Sequence, residues 1–245
     1  MTNLLKVTYC LFDAISFVFK NYMACLYRVL PVLFTVSILS WLLATFSPTL
    51  GIATGWVGKI LISFCYAMFA VSWHRYSVLE EEQRIKGFSY RFGRREIKFG
   101  LLSVAFALFI QILLSSLEQF LQQDLALLLF ALLMIPILIT VFFIYPAIAL
   151  DQPLQLRRYL NEGVKLIFSF IVAMVAIGIM ILVLRWALMF GLAFLQNVFQ
   201  PGALKMVLFV GYNLVAIPLF LAITTGTASF LYKDVIGLAE KEPTD

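Results

Sequence analysis

His74 is the single histidine of the chain. It stands in Trp73-His74-Arg75-Tyr76, where an imidazole titrating near neutral pH could relay a proton or act as a switch. No metal is expected there, because no second histidine and no cysteine lies at a ligand spacing from it. The preferred reading is a membrane-interface cluster, in which Trp73 and Tyr76 anchor a helix and Arg75 meets a lipid phosphate. Asp151 is the second group of interest. It follows Pro146 and precedes Pro153. Its carboxylate could cap the start of an interfacial helix over 154–162, or it could pair with Arg75 or Arg157. No second carboxylate lies close by in sequence to make an acid–base pair. An enzyme would need His74, Asp151 and Arg75 to converge at one surface. The chain has no phosphate-binding glycine loop, no HExxH and no GxSxG. The expectation is therefore no catalytic site, no bound metal and no cofactor.

A second set of residues could bind rather than react. Glu80, Glu81 and Glu82 are followed by Arg84, Lys86, Arg91, Arg94, Arg95 and Lys98, with Phe88, Tyr90 and Phe92 interleaved. Such a segment suits anionic headgroups, each basic residue contributing about 1 kcal/mol near the surface. It also suits a solvated loop that sets topology. No nucleic-acid recognition motif accompanies it, so nucleic acid is not expected as a partner. A third set is polar within apolar runs: Gln111, Asn213 and Thr225, the last within Thr224-Thr225-Gly226-Thr227-Ala228-Ser229. These could line a solute path, or bond from helix to helix for about 0.6 kcal/mol each.

The elements that must position these residues are membrane helices. The run 125–150 holds no charged side chain, and the chain as a whole is 63% hydrophobic and only 13% charged. A bilayer core of about 30 Å needs about 20 apolar helical residues to cross it. The fold expected is all-α: one integral membrane domain over 1–245, a polytopic bundle of six transmembrane helices. Spans are placed at about 26–46, 56–73, 99–117, 125–150, 166–186 and 204–232. Residues 3–22 form an amphipathic helix with Lys6, Asp13 and Lys20 on one stripe. It is expected to lie in the interface, the alternative being an extended first span from Leu11. The opening residues lack the pattern of a signal peptide and are expected to be retained.

Charge placement orients the spans. The formal net charge is +5, and the basic residues collect in 74–98 and near 157–165. The outer turns near Pro48 and Gln122 hold no Lys or Arg, and the last holds only Lys205. By the positive-inside rule both termini are cytoplasmic. Lys59 reads as a snorkelling lysine. Arg185 and Trp186 read as outer-interface anchors, a full membrane thickness from Lys165. Residues 161–165 belong to a cytoplasmic connection, and Pro136 is expected to kink the fourth span. Cys10, Cys25 and Cys65 read as unpaired thiols inside apolar runs.

Trp73-His74-Arg75, the later Tyr145-Pro146-Ala147-Ile148-Ala149-Leu150-Asp151, and Gly163 resemble the pattern of a group of uncharacterised six-helix bacterial inner-membrane proteins. The layout is more distantly similar to the membrane domain joined to some glycerophosphodiester phosphodiesterases. These 245 residues include no soluble catalytic domain, so phosphodiesterase activity is not carried over. The resemblance implies placement in the bacterial inner membrane and a lipid-facing role. The expected function is non-enzymatic: an accessory or assembly protein associating with anionic membrane lipids, a partner membrane protein or a second copy of itself. The alternative is a small-solute or lipid transporter, or a permease subunit. The candidate headgroup cluster is Trp73, His74, Arg75, Asp151, Arg84, Lys86, Arg91, Arg94 and Arg95. The candidate intramembrane site is Gln111, Asn213 and Thr225.

Overall fold

Asn21 separates the first two helices. Its amide donates to the Phe17 carbonyl at 2.9 Å and accepts the Tyr76 hydroxyl at 3.0 Å. α1 (Asn3–Lys20) ends just before it and α2 (Tyr22–Leu50) begins just after it. In the computed structural model, residues 3–50, 52–79, 92–195 and 215–238 are described. The remaining helices are α3 (Ile52–Val78), α4 (Arg94–Phe120), α5 (Gln123–Ala149), α6 (Leu156–Leu195) and α7 (Ile217–Val235). The all-helical expectation holds, and no strand occurs among the described residues. Among the described residues, four stretches are long and apolar enough to cross a membrane: Tyr22–Thr45, Trp56–Val78, Arg94–Phe120 and Gln123–Ala149. Parts of the expected last span before residue 215, Asn213 included, lie outside the described residues, as do Arg84, Lys86 and Arg91 and the side chain of Arg185.

The amphipathic pattern of α1 is real, and protein covers one stripe of its apolar face, while Leu5, Phe12 and Phe19 stay exposed. Val7, Leu11, Ala14 and Val18 are buried, at the spacing of one helical stripe, and α1 packs along α7 and α6. Lys6 on the polar stripe meets Asp234 at 3.8 Å. α7 packs against α1, α3 and α5. Gly226 faces Ala14 of α1, and a Cβ there would sit 3.4 Å from the Cβ of Ala14, an ordinary contact. Two apolar clusters flank α7. One joins Val7 and Cys10 to Phe143, Tyr159 and Tyr232. The other joins Leu11 and Val18 to Cys25, Phe69, Trp73 and Ala222. The three cysteines are free and buried, as their composition-level reading expected. Burial pushes the Cys10 thiol up to about 12.

α6 departs from the expected layout. Residues 154–165 are expected to hold a short interfacial helix and a connection, and 187–199 either to prolong the fifth span beyond the bilayer or to lie along its outer surface. Instead one helix of 40 residues runs from Leu156 to Leu195, about 60 Å at 1.5 Å per residue. No proline interrupts it, and isolated glycines cost only about 1 kcal/mol each, less than the bonds of a continuing helix supply. Gly163 sets its approach to α5, where a Cβ would meet Ile139 Cγ2 at 2.6 Å. Ile139 is itself buried. Gly163→Val is therefore expected to cost about 1–3 kcal/mol through overpacking. Gly178→Val, on the same helix with nothing within 4 Å of the added carbon, should stay within about 0.5 kcal/mol of the parent. Thermal unfolding of the two variants in detergent compares them directly, and equal midpoints would show that Gly163 is not a packing site.

Candidate functional site

Three helix ends meet beside Asp151. α5 continues through Pro146 to Ala149, then closes with the Gln152 amide donating to the Ala147 carbonyl at 2.8 Å. That closure needs one left-handed residue after the helix, and Asp151 supplies it at φ 56°. Aspartate tolerates this region better than most residues. The carboxylate faces guanidiniums from α3 and α4. α4 starts after Gly93, with the Glu96 carboxylate three residues on accepting the Gly93 amide at 2.8 Å. This start places Arg94 and Arg95 in the first turn, with Lys98 one turn further on. Arg95 Nε donates to Asp151 Oδ2 at 2.6 Å, and its Nη2 pairs with the same oxygen. From the last turn of α3, Arg75 donates to the Ala149 carbonyl at 3.3 Å and stands 3.7 Å from Asp151 Oδ2. Two guanidiniums from two helices thus converge on a carboxylate from a third.

These groups border a cavity of about 710 Å³. Its polar rim is Arg75, Arg94, Arg95, Lys98, Glu96 and Asp151. Four cations face two carboxylates, which leaves the rim positive. The rest of its lining is mostly apolar, with Met68 and Val71 from α3, Leu101 from α4 and Ile148 from α5, and Ser72 of α3 beside them. Both carboxylates are committed, Glu96 to the Gly93 amide and Asp151 to Arg95 and Arg75. Arg94 and Lys98 are exposed and have no hydrogen-bond or ion-pair partner among the described residues.

Trp73 and His74 do not join this cavity. Successive residues of a helix point about 100° apart, so Trp73, His74 and Arg75 leave α3 in three directions. Trp73 is fully buried and donates from Nε1 to the Ala222 carbonyl of α7 at 2.9 Å. It lies between Phe69 and Tyr76, with ring centroids at 6.2 and 5.5 Å. It is an internal strut rather than an interface anchor. His74 is also buried, its Nδ1 2.6 Å from Ser229 Oγ, while the Ser229 hydroxyl reaches the Thr225 carbonyl at 3.0 Å. One assignment satisfies both bonds: Nδ1–H donates to serine, and serine donates to the carbonyl. A serine beside a histidine can be a nucleophile and its base. Here Ser229 is wholly buried, so the pair ties α3 to α7.

The intramembrane set does not assemble either. Gln111 is exposed on α4 and Thr225 is half-buried on α7. Phe99 faces His74 at 5.9 Å. Gln111 lies about 18 Å beyond Phe99 along α4, whereas Thr225 is about 6 Å from Ser229 along α7. Sequence reasoning placed Arg75, Asp151, Arg94 and Arg95 together in one cluster but missed the Arg95–Asp151 pair, the place of Lys98 on the cavity rim and the His74–Ser229 bond. Glu96, which reaches back to the Gly93 amide, is a local sign that α4 begins at Arg94. Nothing in the sequence marks Ser229 as the partner of His74. Compared with protein-family models, with curated proteins and with solved structures, the chain matches none.

Proposed function

We propose that this chain is a non-enzymatic multi-pass protein of the bacterial inner membrane that associates with anionic lipids. The observation that carries the reading is the cavity beside Asp151, with its cationic rim above an apolar wall. Lipid headgroups meet acyl chains at the same kind of boundary. In this reading α2 to α6 supply five spans and the segment through 204–232 the sixth. The ends bearing Arg75, Arg94, Arg157 and Lys233 then face the cytoplasm with both termini, in accord with the positive-inside rule. α1 lies at the inner interface and packs on the bundle. A partner membrane protein or a second copy fits the same accessory or assembly role, and the lipid-exposed apolar surface leaves room for either.

Gentle extraction from the native membrane, followed by mass spectrometry of everything retained, tests the proposal. Retention of an anionic phospholipid in stoichiometric amount is the expected result. Retention of a protein partner without lipid would replace lipid association with a subunit role. A preparation that keeps neither removes both.

A transporter of lipids or small solutes, or a permease subunit, is the second reading. Its support is the polar line Thr225, Ser229 and His74 inside the bundle. A cysteine at Thr225 tests it. The native thiols are buried, so background labelling is low. If the introduced thiol resists water-soluble reagents, no aqueous path reaches that line.

A further inference from the structure

We infer that the cavity between α3, α4 and α5 is a single-lipid site, with Arg94 and Lys98 holding the phosphodiester of one anionic glycerophospholipid. The inference rests on the proposed lipid association and assigns it a place. Arg94 and Lys98 are four residues apart and so share one face of α4, about 5–6 Å between Cβ atoms. Arginine offers a planar fork and lysine a compact charge, the two cationic shapes suited to phosphate oxygens. Both lack partners among the described residues, while Arg75 and Arg95 are already engaged by Asp151. One carboxylate offsets only one of those two guanidiniums, so the rim keeps two net positive charges; among the described residues, Arg94 and Lys98 are its cations without a hydrogen-bond or ion-pair partner.

The cavity also has a direction. On α4, Leu101 lies below Lys98 on the same stripe. On α3, Val71 and Met68 lie one and two turns below Arg75. The wall changes from cationic to apolar over about 10 Å, the rise of seven helical residues. A free phosphate would use only the rim. A phospholipid would use the rim and set the first methylenes of a chain against Leu101, Val71 and Met68. The cavity of about 710 Å³ falls within the usual range for small-molecule sites. It accommodates a headgroup and the upper part of a chain, the remainder lying along the outside of the helices.

The test titrates the purified full-length protein in detergent with phosphatidylglycerol and reads bound lipid by native mass spectrometry. The parent is expected to saturate at one high-affinity lipid. The double variant R94Q/K98Q should bind about twenty-five-fold more weakly, at about fivefold for each basic residue. A control with the same charge loss elsewhere on that side, R157Q/K233Q, should bind like the parent. Arg94 and Lys98 are exposed and unpartnered, so the thermal midpoint of R94Q/K98Q should match the parent's. Equal binding by parent and R94Q/K98Q overturns this site and leaves lipid association standing. Equal weakening in both double variants also overturns it, in favour of diffuse charge. A parent that binds no phosphatidylglycerol removes the site and the association together. Displacement of the lipid by millimolar inorganic phosphate would reassign the cavity to a soluble phosphate ligand.

Discussion

Replacing Trp73 with alanine is expected to cost about 3–5 kcal/mol, the range for deleting a large buried ring whose site collapses only partly. Trp73 is fully buried where α1, α3 and α7 meet. Its edge meets Phe17 at 5.8 Å, its faces are flanked by Phe69 and Tyr76, and its indole N–H reaches the Ala222 carbonyl. Membrane immersion does not remove this loss. Water contributes little between helices in lipid, so van der Waals packing and interhelical bonds hold the bundle together, and Trp73 supplies both. Trp73→Phe keeps most of the ring and loses the N–H. The Ala222 carbonyl lies mid-helix in α7, where the helical ladder supplies its main bond, so this variant should lose only about 0.5–1.5 kcal/mol for the hydrogen bond plus a smaller packing term. Thermal unfolding in detergent should rank parent, Trp73→Phe and Trp73→Ala in that order. If Trp73→Ala unfolds with the parent, the residue is not the strut described here.

Asp151 is expected to show two separable losses. Its charge holds Arg95 and faces Arg75, whose side chain is only 14% exposed. Its backbone occupies the left-handed region at φ 56°. Asp151→Gly removes the charge and keeps the backbone at ease, and it should cost about 1–2 kcal/mol, between the values for exposed and for buried ion pairs. Asp151→Val removes the charge and also strains the backbone, adding about 1–2 kcal/mol, for a total of about 2–4 kcal/mol. The difference between these two variants reads the backbone alone. A double-mutant cycle with Arg95→Gln reads the pair, and the two single losses should not add. Full additivity would mean that Arg95 and Asp151 are neighbours without coupling. Equal stability of the glycine and valine variants would mean that the turn tolerates any residue.

The amino-acid sequence by itself determined the class of the molecule. Apolar runs such as 125–150 leave no option but helix in a bilayer, because only a helix satisfies every backbone group within its own segment. It also determined the register of α1, where Lys6, Asp13 and Lys20 mark the side opposite Val7, Leu11 and Val18, since helix periodicity is local. It grouped Arg75, Asp151, Arg94 and Arg95 at one level, since each stands at the end of an apolar run. Tertiary structure alone decided which way the middle residues face. In a membrane helix the lipid side and the protein side are equally apolar, so no hydropathy stripe told that Trp73 and His74 turn inward while Arg75 turns to the cavity. The continuity of α6 was hidden because Asn161, Glu162 and Lys165 look like a loop until α1 packs beside them, with Asn3 donating to the Lys165 carbonyl at 3.0 Å. The meeting of Arg95 with Asp151, 56 residues apart, depends on a left-handed turn and on how three helix ends converge. Neither is written in local sequence pattern, because both follow from the packing of side chains distant along the chain.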